Sequence, residues 1–203
     1  RVARMNSRGA KIKPQIATSA YWQLLTNRNS RIRELKQLDD KMVAMTRYSV
    51  TDMLADHVVD SAKLKSERVF KVQITDVNVR LQMMQNNEMD AMFVTEPQAT
   101  LARLSKHKLL LDTRKLDWNM GVIAFREKPM KDVDRKRQYD VFVKAYNQAC
   151  DSINKNGIAH YAHLMEKYCR TRREALDSIP KTKFHHAVGP REKDMMMAEK
   201  YIK

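Results

Sequence analysis

Ser49, Asp76 and Glu96 each place a side-chain oxygen where an apolar run gives way to a helical pattern. Ser49-Val50-Thr51-Asp52 is a capping box, with serine at the N-cap and a carboxylate at the third helical position. Asp76 precedes the helical stripe Val77, Leu81, Met84. Glu96-Pro97 sets a carboxylate and a proline at a helix start, where the missing N–H costs nothing. The first turn of a helix has unpaired N–H groups and the positive end of its dipole, so such positions attract anions. The same oxygens also cap the helix, each cap being worth about 1 kcal/mol. From the residues alone both uses stay open. Glu96 facing a cleft would disfavour a bare anion and favour a cationic or hydroxyl group.

Other reactive residue types do not assemble into a site. His160 and His163 share a helix face, and His185-His186 follow in a loop with Cys169 nearby in sequence. No third ligand falls at a spacing zinc would use, so these read as surface histidines. His57 reads as a core residue on an apolar face. Cys150 and Cys169 lie on separate helical patterns; they pair, or they are small buried residues, and the latter is favoured. There is no C-x-x-C, no G-x-S-x-G, no P-loop and no carboxylate pair placed for acid–base work. The expectation is a non-enzyme without metal or cofactor.

The elements needed to position these residues are legible in order. Lys11 to Ala17 is an edge or crossover strand, marked by Pro14. A short helix is expected near Ile32 to Leu38. Strands follow at 42–46, 70–75, 90–94 and 108–112, with helices between them from Ser49, from Asp76 to Gln85, and from Pro97 to about Lys106. Asn86-Asn87 stops the second of these, because asparagine tolerates the left-handed conformation. Such alternation specifies a mostly parallel sheet with helices on its faces, and ligands bind such sheets at the carboxyl edge. After a strand at 121–126 the pattern is helical: a stripe of Tyr139, Phe142, Val143, Tyr146 and Ile153, a helix from Ile158 to Tyr168, a second capping box at Thr171 to Glu174, and a last helix after Pro190.

The chain has 203 residues, 43% hydrophobic and 31% charged, an ordinary globular balance. No apolar run reaches the roughly 18 residues of a membrane span. The net charge of +15 is uneven: residues 1–47 carry eleven basic and three acidic residues, 48–112 eight and nine, and 113–203 twenty and twelve. Basic residues mixed with acids read as solvated faces, the densest clusters being Arg135 to Arg137 and Arg170 to Arg173.

Asn87-Glu88-Met89-Asp90-Ala91, followed by an apolar strand and Glu96-Pro97, resembles the N-G-E-I-D-A, strand, E-P core of the extracytoplasmic solute-binding proteins of ABC importers, with asparagine in place of glycine. The nearest subgroup handles nitrate, sulfonates, taurine and thiamine precursors. Leu38 to Met45 resembles the family's D-L-K-G-K-K-I-A-V, Ser49 to Leu54 its G-S-x-x-D-x-L, and Phe142 to Asn154 its F-L-x-A-Y-x-x-A-x-x-x-I-N. The order and spacing carry the resemblance, over nearly the whole chain.

The resemblance implies a type 2 periplasmic-binding fold of the α/β class. One complete lobe is expected at 36–118, with 1–35 and 119–203 as parts of a second lobe and hinge strands near 11–17 and 121–126. The chain begins with Arg1, and the early strands of that second lobe are not recognised. The expectation is therefore an incomplete chain whose helical stripes need a sheet to cover them. In this architecture the cleft residues are Ser49 and Thr51, Thr75 and Asp76, and Thr95 and Glu96 on the complete lobe. The cleft-facing residues of the other are Thr18, Ser19 and Tyr21, with Trp118 and Asn119 before the return strand. The implied partners are a small polar or anionic solute and the permease subunits of an ABC importer; no nucleic acid is implied. The implied setting is extracytoplasmic, with a lipid anchor on a full-length, monomeric protein. Two rival expectations are the effector domain of a LysR-type regulator, which shares the fold, and a basic nucleic-acid-binding protein.

Overall fold

A computed structural model describes residues 1–202, the side chain of Glu174 excepted. The chain opens with α1 (Val2–Ser7), β1 (Ile12–Ala17), β2 (Gln23–Thr26), β3 (Lys41–Met45), α2 (Val50–Ser61), β4 (Val69–Gln73) and α3 (Val77–Gln85). It continues with β5 (Ala91–Val94), α4 (Gln98–Leu104), β6 (Lys108–Asp112), β7 (Val122–Arg126), α5 (Val133–Asn156), α6 (Ala162–Cys169) and α7 (Glu192–Tyr201). These elements form two compact units. The larger comprises 22–117 and 163–179, the smaller 1–21, 118–162 and 180–203.

The larger unit is built on a five-stranded sheet in the order β4-β3-β5-β2-β6. β3 pairs in parallel with β4 and with β5, while β2 runs antiparallel between β5 and β6. Four strands thus share one direction. From β3 the chain steps to one side to reach β4, then back past β3 to β5. Right-handed crossovers then put α2 and α3 on opposite faces. The α3 and α4 face buries Leu25, Ala44, Leu81, Met84, Met89, Met92, Val94, Ala99 and Ala102. Three methionines in that set fit a flexible side chain into the gaps between a short strand and two short helices.

This unit takes in more chain than the expected 36–118. The four buried residues of β2 insert between β5 and β6, where both strand edges need hydrogen bonds. The expected helix at 32–38 is a 3-10 turn over Leu35–Leu38. Pro97 occupies the N-cap of α4 rather than its first turn. The expected capping box at Thr171 does not form at its serine/threonine end: the Thr171 hydroxyl donates to Cys169 O at 3.4 Å, and the turn over Arg173–Ser178 has no side-chain cap at its start. The Glu174 half of that box lies outside the described residues.

The smaller unit holds β1 and β7 as an antiparallel ribbon with an irregularity between Pro14 and Ile16. Phe125 on β7 packs edge-on against Tyr139 and Phe142 of α5, with ring centroids 5.1 and 5.7 Å apart. α1 lies against β1 and α7. The α5 stripe is only half covered: Cys150 is its one buried residue among those described, and Phe142 remains 39% exposed. Cys150 and Cys169 are free thiols.

Candidate functional site

On the larger unit the three expected helix starts come together, because β4, β3 and β5 are adjacent and parallel. At the end of β3 the hydroxyls of Ser49 and Thr51 are taken up by their own turn. Ser49 Oγ donates to Thr46 O at 2.6 Å and accepts from Thr51 N at 3.2 Å, while Thr51 Oγ1 accepts from Thr46 N at 2.8 Å. Asp52 completes the turn by accepting from Tyr48 N at 2.8 Å. Ser49 therefore caps α2, but the reciprocal capping box does not close: its hydroxyl accepts from Thr51 N rather than Asp52 N, and the Asp52 carboxylate accepts from Tyr48 N rather than Ser49 N.

At the end of β4, Thr75 and Asp76 are both exposed. Asp76 Oδ1 accepts from Asn78 N at 2.7 Å and from Val79 N at 3.4 Å. Those two N–H groups, with the positive charge of Arg170, hold its carboxyl below the usual range. At the end of β5, Glu96 turns inward to α4. Its Oε2 accepts from Thr100 N at 2.9 Å and Thr100 Oγ1 at 2.7 Å; its Oε1 accepts from Arg103 at 2.8 Å and from the Gln23 amide at 3.1 Å. Both oxygens are committed to holding the helix start, so the carboxylate's charge is matched by Arg103 within the unit. Among the described residues, the hydroxyls of Thr75 and Thr95 make no hydrogen bond.

The sequence reading missed Arg80. Its side chain runs beneath the same strand ends at 2% exposure. Nε donates to Ile74 O at 2.6 Å, Nη1 to Phe93 O at 2.6 Å, and Nη2 to the hydroxyl of Thr46. One guanidinium thus ties β3, β4 and β5 together at their carboxyl edge. No described carboxylate lies in ion-pair contact with it. Burial lowers its pKa to about 10, partly offset by Asp76, so it stays protonated at neutral pH. The available signal was a cation three residues after Val77, on the apolar stripe, a position a solvated arginine would avoid.

On the smaller unit, Thr18, Ser19 and Tyr21 follow β1, and Trp118 and Asn119 precede β7. The pairing of Ala17 with Val122 sets the two segments side by side. Thr18 N donates to Gly121 O at 2.9 Å. Gly121 permits this closeness: a Cβ there would overlap Thr18 Oγ1 and lie 2.8 Å from Ala20 Cβ. Asn119 N donates to Asp194 Oδ1 at 3.4 Å, while Asn119 Oδ1 is a buried acceptor without a hydrogen-bond partner. Tyr21 is buried; Thr18, Ser19, Trp118 and Asn119 are half-buried.

A sheet with one reversed strand, helices on both faces and a chain that leaves and re-enters each unit has the type 2 periplasmic-binding fold. The chain is similar to the periplasmic aliphatic sulphonate-binding protein SsuA of Escherichia coli, with a TM-score of 0.77 and 16% identity over 98% of this chain and 69% of that one. The alkanesulfonate-binding protein SsuA of Xanthomonas axonopodis pv. citri, bound to MOPS, gives 0.77 and 15% over 99% and 70%. A ligand-binding component of an ABC-type import system from Staphylococcus aureus, with zinc bound, gives 0.72 and 14% over 99% and 70%. No protein-family model matches the sequence. No curated protein matches it either. Among the described residues, no helix is long and apolar enough to cross a membrane.

Proposed function

We propose that this chain is the solute-capturing part of an extracytoplasmic binding protein of an ABC importer, that its solute is a small anion, and that it delivers this solute to a membrane permease. The observation that carries the reading is the carboxyl edge of the larger unit's sheet. Two helix starts, at α2 and α3, meet there above a buried guanidinium whose partners are all neutral oxygens. The dipole of α2 and the Arg80 charge add with the same sign, whereas the start of α3 is already taken by the Asp76 carboxylate, so this edge favours an anion on its α2 side. Glu96, matched by Arg103, does not oppose it. Thr75 and Thr95 are the hydroxyls best placed to donate to the solute, since Ser49 and Thr51 are occupied by their turn. β1 and β7 are the hinge strands of this reading.

The test is a thermal-unfolding panel with an alkanesulfonate, taurine, nitrate and neutral or cationic analogues of matched size. A solute that binds only the folded state at about a hundred times its Kd adds about 2.7 kcal/mol of stability. A midpoint shift with one or more of the anions and none with the analogues is expected. Equal shifts for neutral and anionic compounds, or none for any anion, would sink the reading.

A further inference from the structure

The smaller unit carries 19 basic and 8 acidic residues, a net of +11 out of the chain's +15. Within it, the stretches 1–13 and 126–137 hold eleven basic residues against three acidic ones. The fold gathers these stretches at one end of the β1–β7 ribbon. The Asn6 side chain brackets Ile12, donating to its O at 2.7 Å and accepting from its N at 2.8 Å. Ile12 stands opposite Arg126, and Glu127 N donates to Lys11 O at 3.0 Å.

Arg8, Lys11, Lys13, Arg126, Lys128 and Lys131 are consequently neighbours along the ribbon end, and all six are exposed. None forms an ion pair with a described residue. Among the described residues, an ion pair in these stretches joins Arg137 to Asp134 at 3.7 Å, both largely solvated. Asp132 spends its carboxylate on Arg135 N, capping α5. Clustered like charge repels itself and opposes folding, unless something outside the chain compensates it.

We infer that this end of the ribbon is a docking surface for an anionic lipid bilayer. Two features favour lipid over nucleic acid. Neither stretch contains an aromatic residue on which a base could stack. Met5 and Val133 stand exposed among the cations at 48% and 67%, apolar groups that an acyl boundary accepts and a phosphate backbone does not. The surface lies on the ribbon and not at the carboxyl edge of the larger sheet, so its test is independent of the solute assignment.

The experiment is co-sedimentation of the full chain with phosphatidylcholine vesicles, with and without phosphatidylglycerol. Binding is expected only to the anionic vesicles. It is expected to fade between about 0.1 M and about 1 M salt, as the Debye length falls from about 10 Å to about 3 Å. Each basic residue near a charged membrane contributes about fivefold, so Lys13→Gln, Lys128→Gln and Lys131→Gln together should cost about a hundredfold. The charge-matched control Lys36→Gln, Lys65→Gln and Lys108→Gln, at exposed positions of the larger unit, should cost far less. Equal losses in the two triple variants, equal binding to neutral vesicles, or no binding to anionic vesicles at low salt would overturn the proposal. So would duplex DNA that binds as tightly as the vesicles and loses affinity in parallel in the ribbon variant.

Discussion

Arg80 acts as both brace and charge. Its three donors reach the ends of three strands, and among the described residues no anion is in ion-pair contact with it. Deleting the guanidinium strands buried acceptors, each at a cost of about 1–3 kcal/mol. Arg80→Met is therefore expected to lower unfolding stability by about 3 kcal/mol in urea titration, and to weaken anion binding where the protein still folds. Arg80→Lys retains the charge but cannot span the three acceptors, so it should lose stability while keeping part of the anion response. A lysine variant that loses the anion response as fully as methionine would show that geometry, not charge, is what the edge supplies. Glu96 is the contrasting residue. Its four hydrogen bonds lie inside the unit: those from Thr100 and Arg103 come from the next two turns, in the helix it starts, while the one from Gln23, 73 residues away, was hidden from a linear reading.

Among the elements, the ribbon is the most sensitive to a single atom. β1 and β7 are held at one end by Thr18 N to Gly121 O, and the space beside Gly121 is already filled by Thr18 and Ala20. Gly121→Ala should destabilise by about 1–3 kcal/mol, as over-packed positions do. Gly189→Ala, where a Cβ meets nothing within 4 Å, should leave the urea midpoint unchanged. Equal midpoints for the two variants would mean that the ribbon end opens at no cost. The helix starts were easier to read than the ribbon. Ser49 and Asp76 cap α2 and α3 as their spacing predicts, and Asn87 takes the left-handed conformation, φ 64°, that stops α3. Those features are settled within four residues of themselves. The capping box at Thr171 shows the limit, since the same pattern there does not cap its turn.

For the whole molecule, acid is the revealing variable. Burial and the nearby Arg28 charge push His107 below its usual pKa, and its Nδ1 accepts from Arg28 N at 3.2 Å, so it sits neutral in the fold. As pH falls through about 6.5 the unfolded chain takes up a proton that the folded chain refuses, and stability declines from there. Asp76 and Asp112 are held low in the fold, Asp112 because Arg114 outweighs the burial that would raise it. Their contribution is full above the unfolded carboxyl range, near 3.9, and is lost as pH drops through their folded values. Urea midpoints should thus fall in two steps on acidification. His107→Gln, which keeps an acceptor for Arg28 N, should flatten the upper step alone; an unchanged upper step would remove His107 as its source.

By itself the sequence determined the alternation of strands and helices from 41 to 112, the caps that start α2 and α3, and the stop after α3. Each depends on residues within one or two turns of one another. Only the tertiary structure decided that four residues at 23–26 form an antiparallel strand inside the sheet, because their partners in β5 and β6 lie far along the chain. It also decided that Arg80 points inward to three strand ends, and that two distant basic stretches meet at one ribbon end. Local hydrogen bonding fixes where an element begins, whereas long-range pairing fixes what its side chains face.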